Sequence, residues 1–309
     1  MKSAALIALD WGTSNLRACL LGADGRALEH RSAPGGVMAV VNGAFEQVLR
    51  DLCGDWLAHN DCALIASGMV GSRQGWKEAP YLDCPAGIST AARQLTTVPV
   101  TLANGARRVL HIAPGLRFQE KNGAFDVMRG EETQIWGAHL APGSRCILPG
   151  THSKWAWMGS EGEVLQFQTW MTGELFGLHT KHGLLGRLMQ QGQERMEDFR
   201  NGVKLGLVSA GKANHVVFAA RTAGLMGQVA PEGLPDYLSG ILIGLEVASA
   251  TAEDDSASRN QAITLIGDDG LCERYGVALE LAGLAWQRSP PDATTHGQWL
   301  IAKAAGLTA

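Results

Sequence analysis

The sequence predicts an α/β chain built from two related lobes. Short apolar runs of strand length alternate with longer segments of helical periodicity, which indicates layered sheets and helices. A pattern also recurs within the chain. Leu9–Leu28 reads L-D-W-G-T-S-N-L-R-A-C-L-L-G-A-D-G-R-A-L, and Leu148–Leu165 reads L-P-G-T-H-S-K-W-A-W-M-G-S-E-G-E-V-L. Each copy has an apolar strand, a Gly-Thr turn (Gly12-Thr13 and Gly150-Thr151) and a second strand. Each then reaches G-[AS]-[DE]-G, at Gly22–Gly25 and Gly159–Gly162, which turns the chain into a third strand. The copies start about one domain length apart. Each lobe is therefore expected to open with a three-stranded meander, against chance similarity of two common hairpins.

The elements follow in order. Residues 43–59 put Phe45, Val48, Leu49, Leu52, Trp56 and Leu57 on one helical face. Cys62–Ser67 is a short buried strand running into Gly68, and Val109–Ala113 is another. Residues 171–191 and 195–226 read as mostly helical, and 236–252 as a long apolar helix. Ala262–Ile266 is a strand ending at Gly267-Asp268-Asp269-Gly270, followed by a helix with Leu271, Tyr275, Leu279 and Ala282 on one side. Pro290-Pro291 breaks the chain before a last helix around 297–306.

Composition narrows the function classes. The chain has 309 residues, 46 % hydrophobic and 18 % charged, with a net charge of −4. That excludes disorder and argues against broad nucleic-acid or anionic-membrane binding. Its apolar start, Ala4–Leu9, is too short for a signal-peptide core, and no apolar run reaches membrane-span length. Six cysteines with no C-x-x-C pair suggest reduced thiols and a cytoplasmic setting. The 39 glycines include no Gly-x-Gly pair, so the dinucleotide-binding fingerprint is absent.

Three segments could carry chemistry. In Asp10–Arg17 a strand ends in a carboxylate and enters a glycine turn with hydroxyls. Gly12 would let backbone N–H groups approach phosphate oxygens, and Thr13 and Ser14 add hydroxyl donors. Asp10 could hold Mg²⁺, and Arg17 could neutralise phosphate charge. An ordinary hairpin with a capping Asp would use the same residues. Gly150-Thr151-His152-Ser153-Lys154 offers that chemistry a second time. Gly68–Trp76 holds three glycines in a loop after a strand, permitting close approach to a polar ligand. There Arg73 could pair with an anionic substrate or stand as a solvated surface side chain.

These motifs resemble a known superfamily. D-x-G-T-x-x-x-R at Asp10–Arg17 resembles the first phosphate motif of the actin–hexokinase–Hsp70 ATPases, and Leu148–Lys154 resembles the second. Ile263–Asp268 takes the place of the adenosine motif, with Gly267 and Asp268 as nucleotide contacts. More narrowly, the chain is similar to the 2-dehydro-3-deoxygalactonokinase family. The strings are A-L-D-W-G-T-S-N-L-R (Ala8–Arg17), S-G-M-V-G-S-R-Q-G-W (Ser67–Trp76), M-R-G-E-E-T-Q (Met128–Gln134) and L-P-G-T-H-S-K-W (Leu148–Trp155).

The resemblance implies a two-lobed actin-like, ribonuclease H-like fold. A lobe of residues 1–130 would carry the first phosphate motif and the sugar acid. A lobe of residues 131–309 would carry the second phosphate and adenosine motifs, its last helix returning toward the first lobe. It implies ATP-dependent, Mg²⁺-assisted phosphorylation of 2-dehydro-3-deoxy-D-galactonate at its 6-hydroxyl, with ATP between the lobes. Gly68, Met69, Arg73 and Trp76 would line the sugar-acid site. The base that accepts the hydroxyl proton would follow a glycine just before the second phosphate motif, where Gly130-Glu131 stands. Many relatives have Gly-Asp there, so Glu131 is a departure, and Glu132 and Asp126 stay open as alternatives. Glu131 would equally suit a helix N-terminus.

Other readings compete. A phosphatase-type superfamily member would hydrolyse polyphosphate or a nucleotide, and a sister kinase would take the gluconate-derived epimer. A sugar-sensing regulator would carry a helix-turn-helix and a cysteine-rich zinc loop, neither of which is evident. Partners reduce to a small sugar acid, with no nucleic acid or membrane and with a homodimer left open. Two further patterns are set aside. Gly206–Lys212 matches G-x-x-x-x-G-K, but Ala213 follows where a phosphate loop needs a hydroxyl. His179 and His182 lack a nearby third zinc ligand. Trp155 and Trp157 alternate on one strand and read as packing residues.

Overall fold

A computed structural model describes residues 4–102 and 104–308. Met1-Lys2-Ser3 lie outside them. The apolar run of β1 (Ala4–Trp11) is buried over most of its length, as suits a strand covered on both faces. It pairs antiparallel with β2 (Leu16–Gly22), and β2 pairs antiparallel with β3 (Ala27–Ala33). This is the first expected meander. The following helix α1 (Phe45–His59) turns Phe45, Leu49, Cys53, Trp56 and Leu57 inward onto Ile7, Leu9 and Trp11. β4 (Ala63–Ser67) then lies parallel to β1, with Ser67 opposite Asp10.

The next stretch holds β5 (Tyr81–Asp83), α2 (Ile88–Arg93), β6 (Thr96–Thr101), β7 (Arg107–Ile112), β8 (Gly115–Gln119), β9 (Phe125–Met128) and α3 (Glu131–Gly137). Six strands form one sheet in the order β3-β2-β1-β4-β7-β6. Pro99 falls on its edge strand β6, where a missing N–H costs least. β5, β8 and β9 form a separate three-stranded sheet. The sequence reading foresaw β7 but not β5, β6, β8 or β9.

The second copy of the repeat gives β10 (Arg145–Leu148), β11 (Ser153–Met158) and β12 (Val164–Trp170). Beyond them come α4 (Thr172–Lys181), α5 (Met196–Leu207), α6 (Ala213–Val216), α7 (Ala219–Leu225), α8 (Leu234–Ala250), α9 (Ser256–Asn260), β13 (Ile263–Leu265), α10 (Asp269–Leu281), β14 (Trp286–Arg288) and α11 (Ala293–Ala304). The second sheet runs β12-β11-β10-β13-β14, so it too opens with a meander. The stretch 171–191 is one helix followed by a 3₁₀ turn at Leu185–Leu188, and 195–226 is three helices. The last helix begins earlier than expected, at Ala293, because Asp292 takes the left-handed conformation directly after the proline pair and starts it.

The chain divides into two compact units. One holds the residues up to Gly143, Trp157–Phe167 and the segment from Pro290 onward, and the other holds Ser144–Ala156 and Gln168–Ser289. α3 and α11 both belong to the first unit. Within it they pack backbone to backbone. A Cβ on Gly137 would lie 1.8 Å from the Ala293 carbonyl oxygen, and one on Gly297 would lie 1.9 Å from that of Thr133.

In the second unit α5 and α8 approach in the same way. A Cβ on Gly202 would lie 2.1 Å from Tyr237 O, and one on Gly206 would lie 2.4 Å from Ile241 O. The P-loop-like string at Gly206–Lys212 therefore spans the last two residues of a packed helix and the turn that follows it. Part of the glycine excess is close helix contact.

Candidate active site

The first unit brings together three of the four family strings. Asp10 ends β1, Gly68 follows β4, and Gly130 precedes α3. Gly68 (φ +93°) and Gly130 (φ +109°) both occupy backbone conformations that L side chains rarely adopt. A Cβ on Gly68 would lie 2.9 Å from Trp11 O and 3.7 Å from Asp10 Oδ1, and one on Gly130 would lie 3.1 Å from Gly68 Cα. The turns carrying Asp10 and Glu131 thus meet across glycine surfaces.

Asp10 is about a quarter exposed, and its Oδ2 accepts from Arg17 Nη1 at 3.3 Å. Burial pushes its carboxyl upward, Arg17 opposes the shift, and the charge of Glu131 reinforces it. The turn after Asp10 is fastened from behind by a segment that sequence reasoning did not single out. Backbone N–H groups of Gly36, Val37 and Met38 donate to the carbonyls of Ser14, Gly12 and Thr13. The Trp11 indole donates to Gly35 O at 2.9 Å. Thr13 and Ser14 remain exposed, as phosphate-binding hydroxyls would need to be.

The two adjacent glutamates of α3 differ sharply. Glu131 is partly exposed, and its Oε2 accepts from the Arg129 backbone N–H at 3.0 Å. Glu132 is fully buried, accepting from the Gly130 N–H at 2.7 Å and from Thr133 Oγ1 at 3.1 Å. Burial, aided by the neighbouring Glu131 charge, pushes Glu132 up to about 8. Asp126 sits on β9, its carboxylate accepting from the Val127 N–H at 2.8 Å.

The 68–76 loop is a 3₁₀ turn at Met69–Gly71 closed by the bonds Ser72 N–H to Met69 O and Trp76 N–H to Val70 O. Met69 and Trp76 are partly buried against the core, and Trp76 stacks on Phe45 at 5.9 Å. Arg73 has an 88 % exposed side chain and pairs with Glu78 at 3.1 Å. Beneath the convergence, Gln298 of α11 donates from Nε2 to Leu9 O at 2.7 Å and to Ser67 Oγ at 2.9 Å. No short motif marks Gln298. Only its place on a helix that returns to β1 and β4 reveals it.

In the second unit the Gly150–Lys154 turn is organised by a residue the sequence did not flag. Glu246 of α8 is 1 % exposed. It accepts from Ser153 Oγ and Trp155 Nε1, both at 2.8 Å, from Tyr275 OH at 2.6 Å, and from Thr172 Oγ1. Burial pushes this carboxyl up, and its four donors oppose the shift. Ser153, read above as a nucleotide contact, spends its hydroxyl on this internal bond. His152 meets Glu174, and Lys154 Nζ donates to His152 O at 3.1 Å. Gly150 and Thr151 lie against Gly173 at the start of α4. Gly267 has a left-handed φ of +130° beside Pro149 O, and Asp268 caps α10 by accepting from the Leu271 N–H at 3.0 Å.

The profile of the 2-keto-3-deoxy-galactonokinase family matches residues 10–301. The chain belongs to that family. It is 37 % identical over 282 residues to the 2-dehydro-3-deoxygalactonokinase of Escherichia coli K12, covering 91 % of each chain. A solved structure from Sinorhizobium meliloti, provisionally assigned as a 2-dehydro-3-deoxygalactonokinase, aligns with TM-score 0.84 and 33 % identity over 97 % of this chain and 98 % of its own. At 13 % identity and TM-score 0.51, an activator of 2-hydroxyisocaproyl-CoA dehydratase from Clostridium difficile, solved with ADPNP, shares the fold over 99 % and 96 % of the two chains.

The architecture is accordingly that of the actin-like ATPases and sugar kinases, as expected from the motifs. Membership of this kinase family makes the chain a phosphotransferase and supports nucleotide use. It does not favour the phosphatase alternative. All six cysteines are free thiols. Among the described residues no helix is long and apolar enough to cross a membrane, and no group of three or more His, Cys, Asp or Glu is placed to hold a metal ion.

Proposed function

We propose that this chain transfers the γ-phosphoryl group of ATP to the 6-hydroxyl of 2-dehydro-3-deoxy-D-galactonate. The observation that carries the reading is the meeting of Asp10, Gly68 and Gly130-Glu131, from three family strings, at one point of the first unit. Glu131 is the general base. It accepts the proton of the 6-hydroxyl as that oxygen bonds to the γ-phosphorus and the bond to ADP breaks. Its partial exposure and backbone-held carboxylate suit that role. Glu132 suits it less, since its oxygens are taken up inside the protein.

Asp10 offers a desolvated carboxylate with Oδ1 directed toward Gly68, a donor type that fits Mg²⁺. When bound, that ion would neutralise phosphate charge. Gly12, Thr13, Ser14 and Arg17 serve phosphate oxygens in the first turn. Gly150, Thr151, His152 and Lys154 do so in the second, with Ser153 holding the turn to Glu246. Gly267 contacts the adenosine. The sugar acid lies against Gly68, Met69 and Trp76. We further assign the protein to the cytoplasm, where free thiols persist, and keep a homodimer as the working state.

The test is coupled ADP release from ATP and Mg²⁺, with and without the sugar acid, across both 2-keto-3-deoxy epimers. Turnover that requires the galactonate-derived acid is expected. Hydrolysis that ignores the sugar would sink the kinase reading. Preference for the gluconate-derived acid would move the substrate to the epimer. Sedimentation velocity reads the oligomeric state.

A further inference from the structure

Arg129 joins β9 to the Gly130 turn and is 8 % exposed. A guanidinium stays charged at any ordinary pH, so burying one without a counter-charge is costly. Two contacts are present. Nη2 donates to Ala79 O at 2.8 Å, and the guanidinium lies 4.2 Å over the Tyr81 ring. Nε and Nη1 are buried with no hydrogen-bond partner, and among the described residues no carboxylate pairs with the group. The nearby Glu131 carboxylate instead takes the backbone N–H of Arg129 itself. Nη1 lies against the 68–76 loop, since a Cβ on Gly71 would sit 3.0 Å from it.

We propose that Arg129, and not Arg73, is the side chain that recognises the carboxylate of the substrate, with Nη1 donating to it beside Gly71. The inference rests on the sugar-acid reading above. Arg73 is solvated and already paired with Glu78, so its attraction for an anion is screened by water. Arg129 is desolvated and lacks a counter-ion, so an arriving carboxylate meets a stronger field. A Cβ at residue 71 would also lie 3.0 Å from Ile112 Cγ2 and 3.2 Å from Ala79 Cβ, so the carboxylate reaches Nη1 as the Met69–Gly71 turn moves aside. Arg129 also adjoins Gly130-Glu131, so the same segment would hold the acid end of the substrate and the base.

The experiment compares the sugar acid with its uncharged C1 amide on the purified chain. Kinetics and ligand-induced shifts of the thermal midpoint are read together. Arg129→Met is expected to raise KM for the acid about 10- to 100-fold, the worth of one charged hydrogen bond, while KM for the amide stays within about threefold. The midpoint shift caused by the acid should vanish in Arg129→Met and persist in Arg73→Ala. Arg129→Lys, which retains charge without the planar fork, should give a smaller acid-specific rise. It serves as the test if the methionine variant does not fold. Equal loss for acid and amide, no loss for either, or an acid-specific loss in Arg73→Ala would overturn the assignment alone. A parent that phosphorylates neither compound would overturn the sugar-acid reading and this inference together.

Discussion

Gly130 is seated against Gly68 so closely that a Cβ on Gly130 would come within 3.1 Å of the Gly68 Cα. That contact joins the turn before Glu131 to the end of β4, beside Asp10. Gly130→Ala introduces both the steric contact and a strained φ of +109°. We expect a stability loss above about 1 kcal/mol by urea denaturation. The variant should also lose turnover by roughly 100-fold, because displacing Glu131, the proposed base, forfeits alignment.

Glu131→Gln should lower kcat by about 10²–10⁴ and leave ATP binding, read by nucleotide-induced thermal shift, near the parent value. Glu132→Gln can keep both internal bonds, its amide oxygen accepting from Gly130 N–H and its NH₂ donating to Thr133. It should retain most turnover. The reverse pattern would make Glu132 the base, and parent-like turnover in both would move the role to Asp126.

The pH dependence of stability should separate the same pair. Glu132 binds its proton up to about pH 8 in the folded chain, whereas an unfolded Glu releases it near pH 4.3. The unfolded state therefore holds fewer protons between these values, and stability falls as pH rises through that window. Below the window the contribution is fully present, and above about pH 8 its loss is complete. Relative to the parent, Glu132→Gln should gain stability steadily from pH 5 to pH 8 in thermal-melt series. A constant difference across that range would contradict the buried, proton-bearing state of Glu132.

Tyr275 donates to Glu246 at 2.6 Å inside the network that holds Ser153. Tyr275→Phe should cost about 1.5–3 kcal/mol, the range for hydrogen bonds to charged groups. Chemical denaturation measures it. Because Ser153 lies in the turn proposed to hold phosphate, KM for ATP should rise while KM for the sugar acid holds.

Gln298→Leu removes donors from Leu9 O and Ser67 Oγ, each adjacent to a residue of the cluster. A loss of about 1–3 kcal/mol is expected from the buried groups left unpaired. A fall in kcat larger than that in Ser67→Ala, which loses one of the two bonds, should accompany it. Steady-state kinetics of both variants, with melting curves, make the comparison.

Much of this protein was readable from the chain alone. The meanders follow from an apolar strand, a Gly-Thr turn and an acidic-glycine turn, all local chemistry, and both appear in the sheets. The helix at Phe45–His59 followed from its spacing. The strings containing Asp10, Gly68, Glu131 and Gly150 carried the family and the reaction. Weak edge strands such as β5 and β9 were missed because only pairing partners stabilise short strands of exposed residues.

Tertiary structure alone decided the supporting parts. A single line of residues does not reveal that Gln298 reaches back to Leu9, that Glu246 gathers four donors under Ser153, or that Glu131 is accessible while Glu132 is sealed. These are contacts between positions far apart in the chain, or consequences of burial. Hydrogen-bond satisfaction and desolvation depend on what surrounds a group, whereas turn geometry and periodicity depend on its neighbours in sequence. The sequence therefore determined the fold class and which segments matter. The packed chain decided which side chain in each segment is accessible and which is buried in holding the others.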